Sequence, residues 1–393
     1  KKTLNLLNFH EVLMRAASRW GDKTALIFDE TNESYTFNEI KEHAYDFASA
    51  FRYLGIQESD KMAIMLKNMP AFPFSWLGSS LIGATVIPLH YRYQSFDAKY
   101  ALEHSVAKLI VTTVEKVEML DSIRGSDGTS FSILTVDQEH HKADWFLGDL
   151  LDKSLNKFVY QANTYPESLL NIQYTSGTTG KPKGCMLSQK YWINIGEKLA
   201  NDELIGIHDK DILLTSQPFY YMDPQWNLIT TLINGACLVV LVRFSPSTFW
   251  GKVRKYKVTF FYVLGNMPIL LLKMPISPED KNHQVRFIAC SAIPPQLHEV
   301  LEERWNVKWH EVFGMTETGY DISMRTEDHD QYVGTGALGK PAHDREVRVV
   351  NENFETVARG EVGEMVIRGK GLMDGYYKDE KATAEAFKYG WFR

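Results

Sequence analysis

Lys181 and Lys183 close a run, Tyr174-Thr-Ser-Gly-Thr-Thr-Gly-Lys-Pro-Lys-Gly184, whose residue types suit one kind of chemistry. Gly177, Gly180 and Gly184 permit left-handed backbone and close approach. Thr175, Ser176, Thr178 and Thr179 add hydroxyls, and the two ammonium groups add positive charge. Together they can present hydrogen-bond donors and charge to a polyphosphate. The apolar Leu169, Leu170 and Ile172 come just before, so the loop is expected to leave the C-terminal end of a strand. It is not a Walker A loop. Only Thr178 and Thr179 separate Gly177 from Gly180, and Pro182 rather than a Ser or Thr follows Lys181, which keeps the chain extended there. The other reading, a polar surface hairpin, fits most Gly-Ser-Thr runs but leaves two lysines and this density of hydroxyls without a purpose.

The elements that must position this loop follow an alternating rhythm. Thr36-Phe37-Asn38-Glu39 fits a capping box, and apolar residues recur at helical spacing (Ile40, Ala44, Phe47, Ala48, Phe51) until Gly55. Strands are predicted over 62–66, 85–89 and 108–112, with helices over 71–83 and 96–104. The rhythm returns with strands over 212–215, 237–242, 258–263 and 285–289 and helices over 246–256 and 295–305. Strands alternating with helices imply right-handed crossovers and parallel sheets covered on both faces. Beyond residue 320, short β runs over 346–350 and 364–368 lie between Gly-rich turns. The expected fold class is α/β, with two doubly wound parallel-sheet subdomains (1–165 and 166–320) and a smaller β-rich, barrel-like one (321–393).

Composition sets the outer bounds. The 393 residues carry 43 Lys and Arg against 49 Asp and Glu, a net charge of −6, with 44 % hydrophobic and 23 % charged residues. Disorder, collagen and coiled coil are excluded, and the acidic balance argues against nucleic acid as the main partner. Cys185, Cys237 and Cys290 are odd in number and far apart, so packing residues in a reducing, cytoplasmic compartment are expected rather than a disulfide scaffold. The opening residues lack the apolar core of a signal peptide, and the most apolar stretch, 228–242, is too short to span a bilayer. Without a secretory signal, the sequon Asn32-Glu33-Ser34 is a chance match, and the adjacent His140 and His141 read as a solvated loop. Gly334-Thr-Gly336-Ala-Leu-Gly339 fits the dinucleotide fingerprint in letters only, because Lys340-Pro341 and a β run follow where a helix must start.

TSGTTGKPKG resembles, residue for residue, the phosphate-loop signature of the acyl-adenylate-forming superfamily of acyl-CoA synthetases, peptide-synthetase adenylation domains and luciferases. Further likenesses fall in family order: Phe313-Gly314-Met315-Thr316-Glu317, Gly339-Lys-Pro, Gly360-Glu-Val-Gly-Glu364, Gly375-Tyr-Tyr-Lys378 and the stretch from Lys381 to Arg393. The resemblance implies ATP, Mg²⁺ and CoA. It assigns the ATP β- and γ-phosphates to Thr175 through Lys183 (Thr175, Ser176, Gly177, Thr178, Thr179, Gly180, Lys181, Lys183). Thr316 would contact the α-phosphate and Glu317 would hold the metal, with Thr175, Thr316 and Glu317 as the catalytic set. Phe313, Gly314 and Met315 would border the nucleotide, Phe313 lacking the hydroxyl of the family's usual Tyr. Ser291, Ala292 and Ile293 stand in the adenine turn, where the family usually has glycine.

The implied reaction joins a carboxylate to the ATP α-phosphorus and then passes the acyl group to a thiol. Mg²⁺, lysines and amides would stabilise the phosphate charge, with no nucleophilic Ser or Cys. Gln217-Pro-Phe-Tyr-Tyr-Met-Asp-Pro-Gln-Trp226 resembles the segment that gates the acyl pocket. It looks closest to the crotonobetaine/carnitine-CoA ligase branch, and medium-chain and aromatic synthetases share much of the pattern. Tyr220, Tyr221, Asp223 and Trp226 are candidates to cage a quaternary ammonium, or simply pocket wall, with Gly265 on another wall. Two other functions stay open, an adenylation module that loads a carrier protein and a nucleotide-binding protein without ligase activity. A homodimer is compatible with the sequence. The family's Thr-Gly-Asp, hinge and mobile C-terminal domain do not appear in these 393 residues, so a fragment that binds ATP but adenylates poorly is the expectation.

Overall fold

A computed structural model describes residues 8–125, 130–152, 157–176, 180–201 and 205–393. Gly177, Thr178 and Thr179 of the phosphate loop lie outside the described residues.

Two large, mostly parallel sheets carry the molecule. The seven-stranded sheet runs Trp145–Phe146, Ser132–Thr135, Leu109–Thr112, Lys61–Ile64, Thr85–Pro88, Leu169–Thr175, Lys183–Ser188, with only the last pair antiparallel. The nine-stranded sheet runs Lys340–Pro341, Ile322–Ser323, Trp309–Phe313, Phe287–Ser291, Phe260–Leu264, Ile212–Thr215, Cys237–Val240, Thr24–Phe28, Glu33–Thr36. The β-rich unit is a four-stranded antiparallel sheet of Arg345–Val350, Glu364–Gly369, Trp391–Phe392 and Phe387–Lys388.

Two of the expected helices show the local signals that predict them. The Thr36 hydroxyl accepts from Glu39 N while the Glu39 carboxylate accepts from Thr36 N, the reciprocal capping box, and the helix Phe37–Tyr53 follows. Ala71–Ile82 is buried at every residue, as a helix enclosed on all sides must be, and ends on Gly83 at φ 72°.

Sheet membership crosses the expected boundaries at 165 and 320. The N-terminal hairpin Thr24–Phe28/Glu33–Thr36 joins the nine-stranded sheet by pairing parallel with Cys237–Val240. The hairpin that carries the phosphate loop completes the seven-stranded sheet instead. Ile322–Ser323 and Lys340–Pro341 likewise extend the nine-stranded sheet, so the β-rich unit begins at Arg345. The first two exchanges bury a strand edge against a partner distant in sequence.

One residue ties the layers together. Asn171, fully buried on the phosphate-loop strand, accepts from Trp76 Nε1 at 2.9 Å and Trp192 Nε1 at 3.1 Å, and donates to Gln225 Oε1 at 2.7 Å. Gln225 belongs to the helix Met222–Asn234, so this network sets that helix against the strand leading into the loop.

Candidate active site

The loop hairpin places Thr175 opposite Lys183 and Gln173 opposite Cys185. Its returning strand is covered by a segment the sequence offered only as a landmark. Asp374 N donates to Met186 O, Met186 N to Gly375 O and Tyr377 N to Gly184 O, at 2.9, 2.9 and 2.7 Å. That zipper swings Tyr376 over the loop. Its hydroxyl donates to Glu317 Oε1 at 2.9 Å, and its ring lies 5.1 Å from Lys183 Nζ. Beneath them the buried Cys185 thiol faces both Thr175 and Glu317. Burial and the Glu317 charge push its pKa up, which leaves it a packing group rather than a nucleophile. Thr175, Lys183 and Glu317 are thus brought together, while Ser176, Gly180 and Lys181 lie exposed at the ends of the loop. A carboxylate and a hydroxyl beside a phosphate loop are hard oxygen donors, and they suit a magnesium ion that keeps phosphate and water as its remaining ligands.

Thr316 and Glu317 stand on a tight turn after the strand Trp309–Phe313. Gly319 N donates to Met315 O at 2.7 Å, and Asp321 N donates back to Phe313 O at 3.0 Å. A Cβ at Gly314 would sit 1.9 Å from Gly319 O, so only glycine closes this turn. The fully buried Tyr191 donates to Thr316 O at 2.8 Å from the helix Gln189–Leu199. Behind the turn, Arg345, Asp321, Lys198 and Asp344 form a buried ionic network.

The turn expected to hold adenine follows the strand Phe287–Ser291. Ala292 takes φ 61°, a left-handed conformation that explains why glycine is commoner at such a site. Glu311, on the neighbouring strand, compensates with both carboxylate oxygens. Oε1 accepts from Ala292 N at 2.7 Å and Oε2 from Ile293 N at 3.0 Å. Ser291 accepts from or donates to Tyr262 Oη at 2.7 Å and donates to Val312 O at 2.9 Å, so its hydroxyl is already engaged. Ile293 is buried in the core, and only Ser291 of the three lines the central cavity. Glu311→Ala leaves two N–H groups unpaired, an expected loss of about 1–3 kcal/mol in stability with a roughly 10-fold higher KM for ATP. Thermal melts and ATP titrations check this; an unchanged KM would detach Glu311 from the nucleotide.

A cavity of about 640 Å³ runs from Phe313, Gly314, Met315 and Thr316 to Tyr221, Asp223, Trp226 and Gly265. Nucleotide and acyl candidates therefore share one space. Tyr220 does not line it. Its ring packs on His90, 4.5 Å between centroids, and its hydroxyl bonds His90 Nε2 at 3.3 Å. Tyr262 takes the wall position, its ring 5.7 Å from that of Trp226. Alternation along the strand Phe260–Leu264 was a legible signal for Tyr262, though without a partner in view it carried no role.

Asp223 is a buried carboxyl held far from its ordinary state. It is 4 % exposed, its Oδ2 accepts from Thr215 Oγ1, and its Oδ1 has no hydrogen-bond partner among the described residues. The neighbouring Asn227 amide donates instead to the Asp223 carbonyl at 2.9 Å. Burial pushes the carboxyl up to about 7. No ion pair among the described residues compensates it.

A second polar cluster lies outside the cavity, where His298, Glu302 and His329 bring ligand-type atoms within 4.8 Å. Glu302 Oε2 accepts from His298 Nε2, His329 Nε2 and Trp309 N at 3.1, 2.6 and 2.8 Å. Gly334 N–H donates to His298 Nδ1 at 3.2 Å, which puts the ring hydrogen on Nε2, the nitrogen a metal would need. The cluster is a proton-held tie. Gly334 to Gly339 run on from it into the strand Lys340–Pro341, with no helix opening at the glycines.

The model of the AMP-binding enzyme family matches residues 13–377. Crotonobetaine/carnitine–CoA ligase of Salmonella typhi is 28 % identical over 397 residues, covering 98 % of this chain and 76 % of that protein. The benzoate CoA ligase of Burkholderia xenovorans LB400 superposes with a TM-score of 0.87 at 22 % identity, covering 99 % of this chain and 76 % of that one. The o-succinylbenzoate CoA synthetase of Bacillus subtilis, solved with its acyl-adenylate intermediate, gives 0.84 at 22 % identity, over 97 % and 94 %. Because the match takes in the loop, the Thr316–Glu317 turn and the cavity walls together, the chain belongs to the AMP-binding enzyme family.

Proposed function

We propose that this AMP-forming acyl-CoA synthetase activates a small carboxylic acid that carries a quaternary ammonium, of the kind named for its crotonobetaine/carnitine–CoA ligase relatives. The observation that carries the choice is Asp223, a buried carboxylate without a cation, set in a cavity walled by Trp226, Tyr221 and Tyr262. An uncompensated buried charge is costly, and a trimethylammonium group would supply the missing charge while the rings contribute cation–π attraction.

In this reading the acid lies with its carboxylate toward Thr316 and its cation toward Asp223. A carboxylate oxygen attacks the α-phosphorus, the bond to the bridging oxygen breaks, and pyrophosphate leaves. The thiol of CoA then attacks the acyl carbon and AMP departs. Thr175, Lys183 and the loop amides hold the β- and γ-phosphates in line, and Thr316 reaches the α-phosphate. Glu317 and Thr175 would hold Mg²⁺, which supplies charge neutralisation on the phosphates when bound. Tyr376 fixes the Glu317 carboxylate through Oε1.

Asp223→Asn tests the assignment. The KM for betaine acids is expected to rise about 10²-fold with ATP affinity unchanged. In the wild type it falls as pH rises through about 7, because Asp223 must ionise to hold a cation. Betaine kinetics indifferent to both the substitution and pH would refute it.

A further inference from the structure

Asp223 is not alone in lacking a partner at the acyl end of the cavity. The Gln217 amide also lines it, and its Nε2 is buried without a hydrogen bond among the described residues. The backbone at this point is fixed, since Asn68 Nδ2 donates to Gln217 O at 2.8 Å. Several other polar groups on the wall are engaged within the protein. Tyr191 serves Thr316 O, Tyr262 and Ser291 serve each other, and Asp223 Oδ2 serves Thr215, while the buried Tyr320 hydroxyl, on another part of the wall, has no hydrogen-bond partner among the described residues. Two of the buried side chains with unused hydrogen-bonding capacity belong to one segment, a carboxylate and a neutral amide separated by six positions.

A buried amide carries a desolvation penalty unless something bonds it. Before an acid enters, water can serve. Once an acid chain displaces that water, the chain must offer an oxygen or leave the amide unpaired. An amide presents a donor at one end and an acceptor at the other, and a hydroxyl satisfies either. We infer that the preferred acid carries a hydroxyl on the carbon chain between its carboxylate and its cationic group, and that Gln217 selects for it. This deepens the proposed function and rests on its reading of the cavity as the acyl pocket.

The test compares two pairs of acids that differ by one hydroxyl, carnitine with γ-butyrobetaine and β-hydroxybutyrate with butyrate, by acid-dependent ATP–pyrophosphate exchange in the full-length protein. The wild type is expected to favour the hydroxylated member of a pair by on the order of 10-fold or more in kcat/KM. Gln217→Met, close in volume, should bring the ratio near one by slowing the hydroxylated member, with the KM for ATP and the melting temperature unchanged. The wild-type ratio requires no variant and stands even if that variant folds poorly. A wild-type ratio near one, or a ratio that survives in Gln217→Met, overturns the inference while exchange with betaines upholds the proposed substrate class. Exchange with the uncharged pair alone overturns the betaine reading and leaves Gln217 to be judged on that pair. Silence from all four acids overturns both.

Discussion

Replacing Glu317 by Gln is expected to lower the rate of adenylate formation by on the order of 10²–10³-fold while leaving the KM for the acid nearly unchanged. Gln retains an acceptor for the Tyr376 hydroxyl, now 2.9 Å from Glu317 Oε1, so the turn keeps its shape and only the charge is lost. Tyr376→Phe supplies the contrast. It removes the hydrogen bond but keeps the ring beside Lys183 and the carboxylate itself, so the expected loss is only a few-fold. Single-turnover AMP formation at several Mg²⁺ concentrations separates the two. Wild-type rates in Glu317→Gln would remove the carboxylate from metal binding.

Arg345→Met is expected to give the largest loss of stability, about 3–5 kcal/mol, because it strands buried charge. The guanidinium is fully buried. Nε lies 2.8 Å from Asp321 Oδ1, Nη2 donates to Thr318 O at 2.8 Å, and Nη1 reaches Lys370 O at 2.5 Å and Asp344 Oδ2 at 3.2 Å. Lys198 completes the network, donating to Tyr320 O at 2.6 Å beside Asp344. Burial and the neighbouring Arg345 lower Lys198 to about 8, whereas burial raises Asp321. Removing Arg345 therefore leaves the Asp321 carboxylate without its ion-pair partner and releases Thr318 O, beside the Thr316–Glu317 turn. Denaturant titration should show the loss, and adenylation should fall at temperatures where the variant remains folded. A change below about 1 kcal/mol would show that the four charges are tied more loosely than their distances indicate.

Local features of this protein were legible in its sequence. The Thr36–Glu39 box, the Gly55 stop and the strand before the phosphate loop all rest on contacts within a few residues, which spacing and side-chain type encode. Gly314 and Thr316–Glu317 were legible through the match to a known motif. What stayed hidden depends on chain crossings. Thr24–Phe28 pairs with Cys237–Val240 across more than two hundred positions, and no local pattern distinguishes that partner from any other buried strand. Tyr376 reaches Glu317 only because the 373–377 segment zips onto Met186 and Gly184. Glu311 reads as a polar residue beside His310 in a mostly apolar strand until the Ala292 turn folds over it. Tyr220 and Tyr221 were grouped because they are adjacent, and the turn before Met222–Asn234 then sends one ring toward His90 and the other to the cavity mouth. Asp223 was selectable by type; its unpaired oxygen became visible only with the fold.

The most direct measurement is acid-dependent ATP–pyrophosphate exchange by the full-length protein, run over short, aromatic and betaine acids with Mg²⁺ present and withheld. Exchange that requires both an acid and Mg²⁺, and is fastest with a betaine, is the expected result. Tight ATP binding with no exchange for any carboxylate would contradict the account, and would mark the cavity as a nucleotide site that performs no ligation.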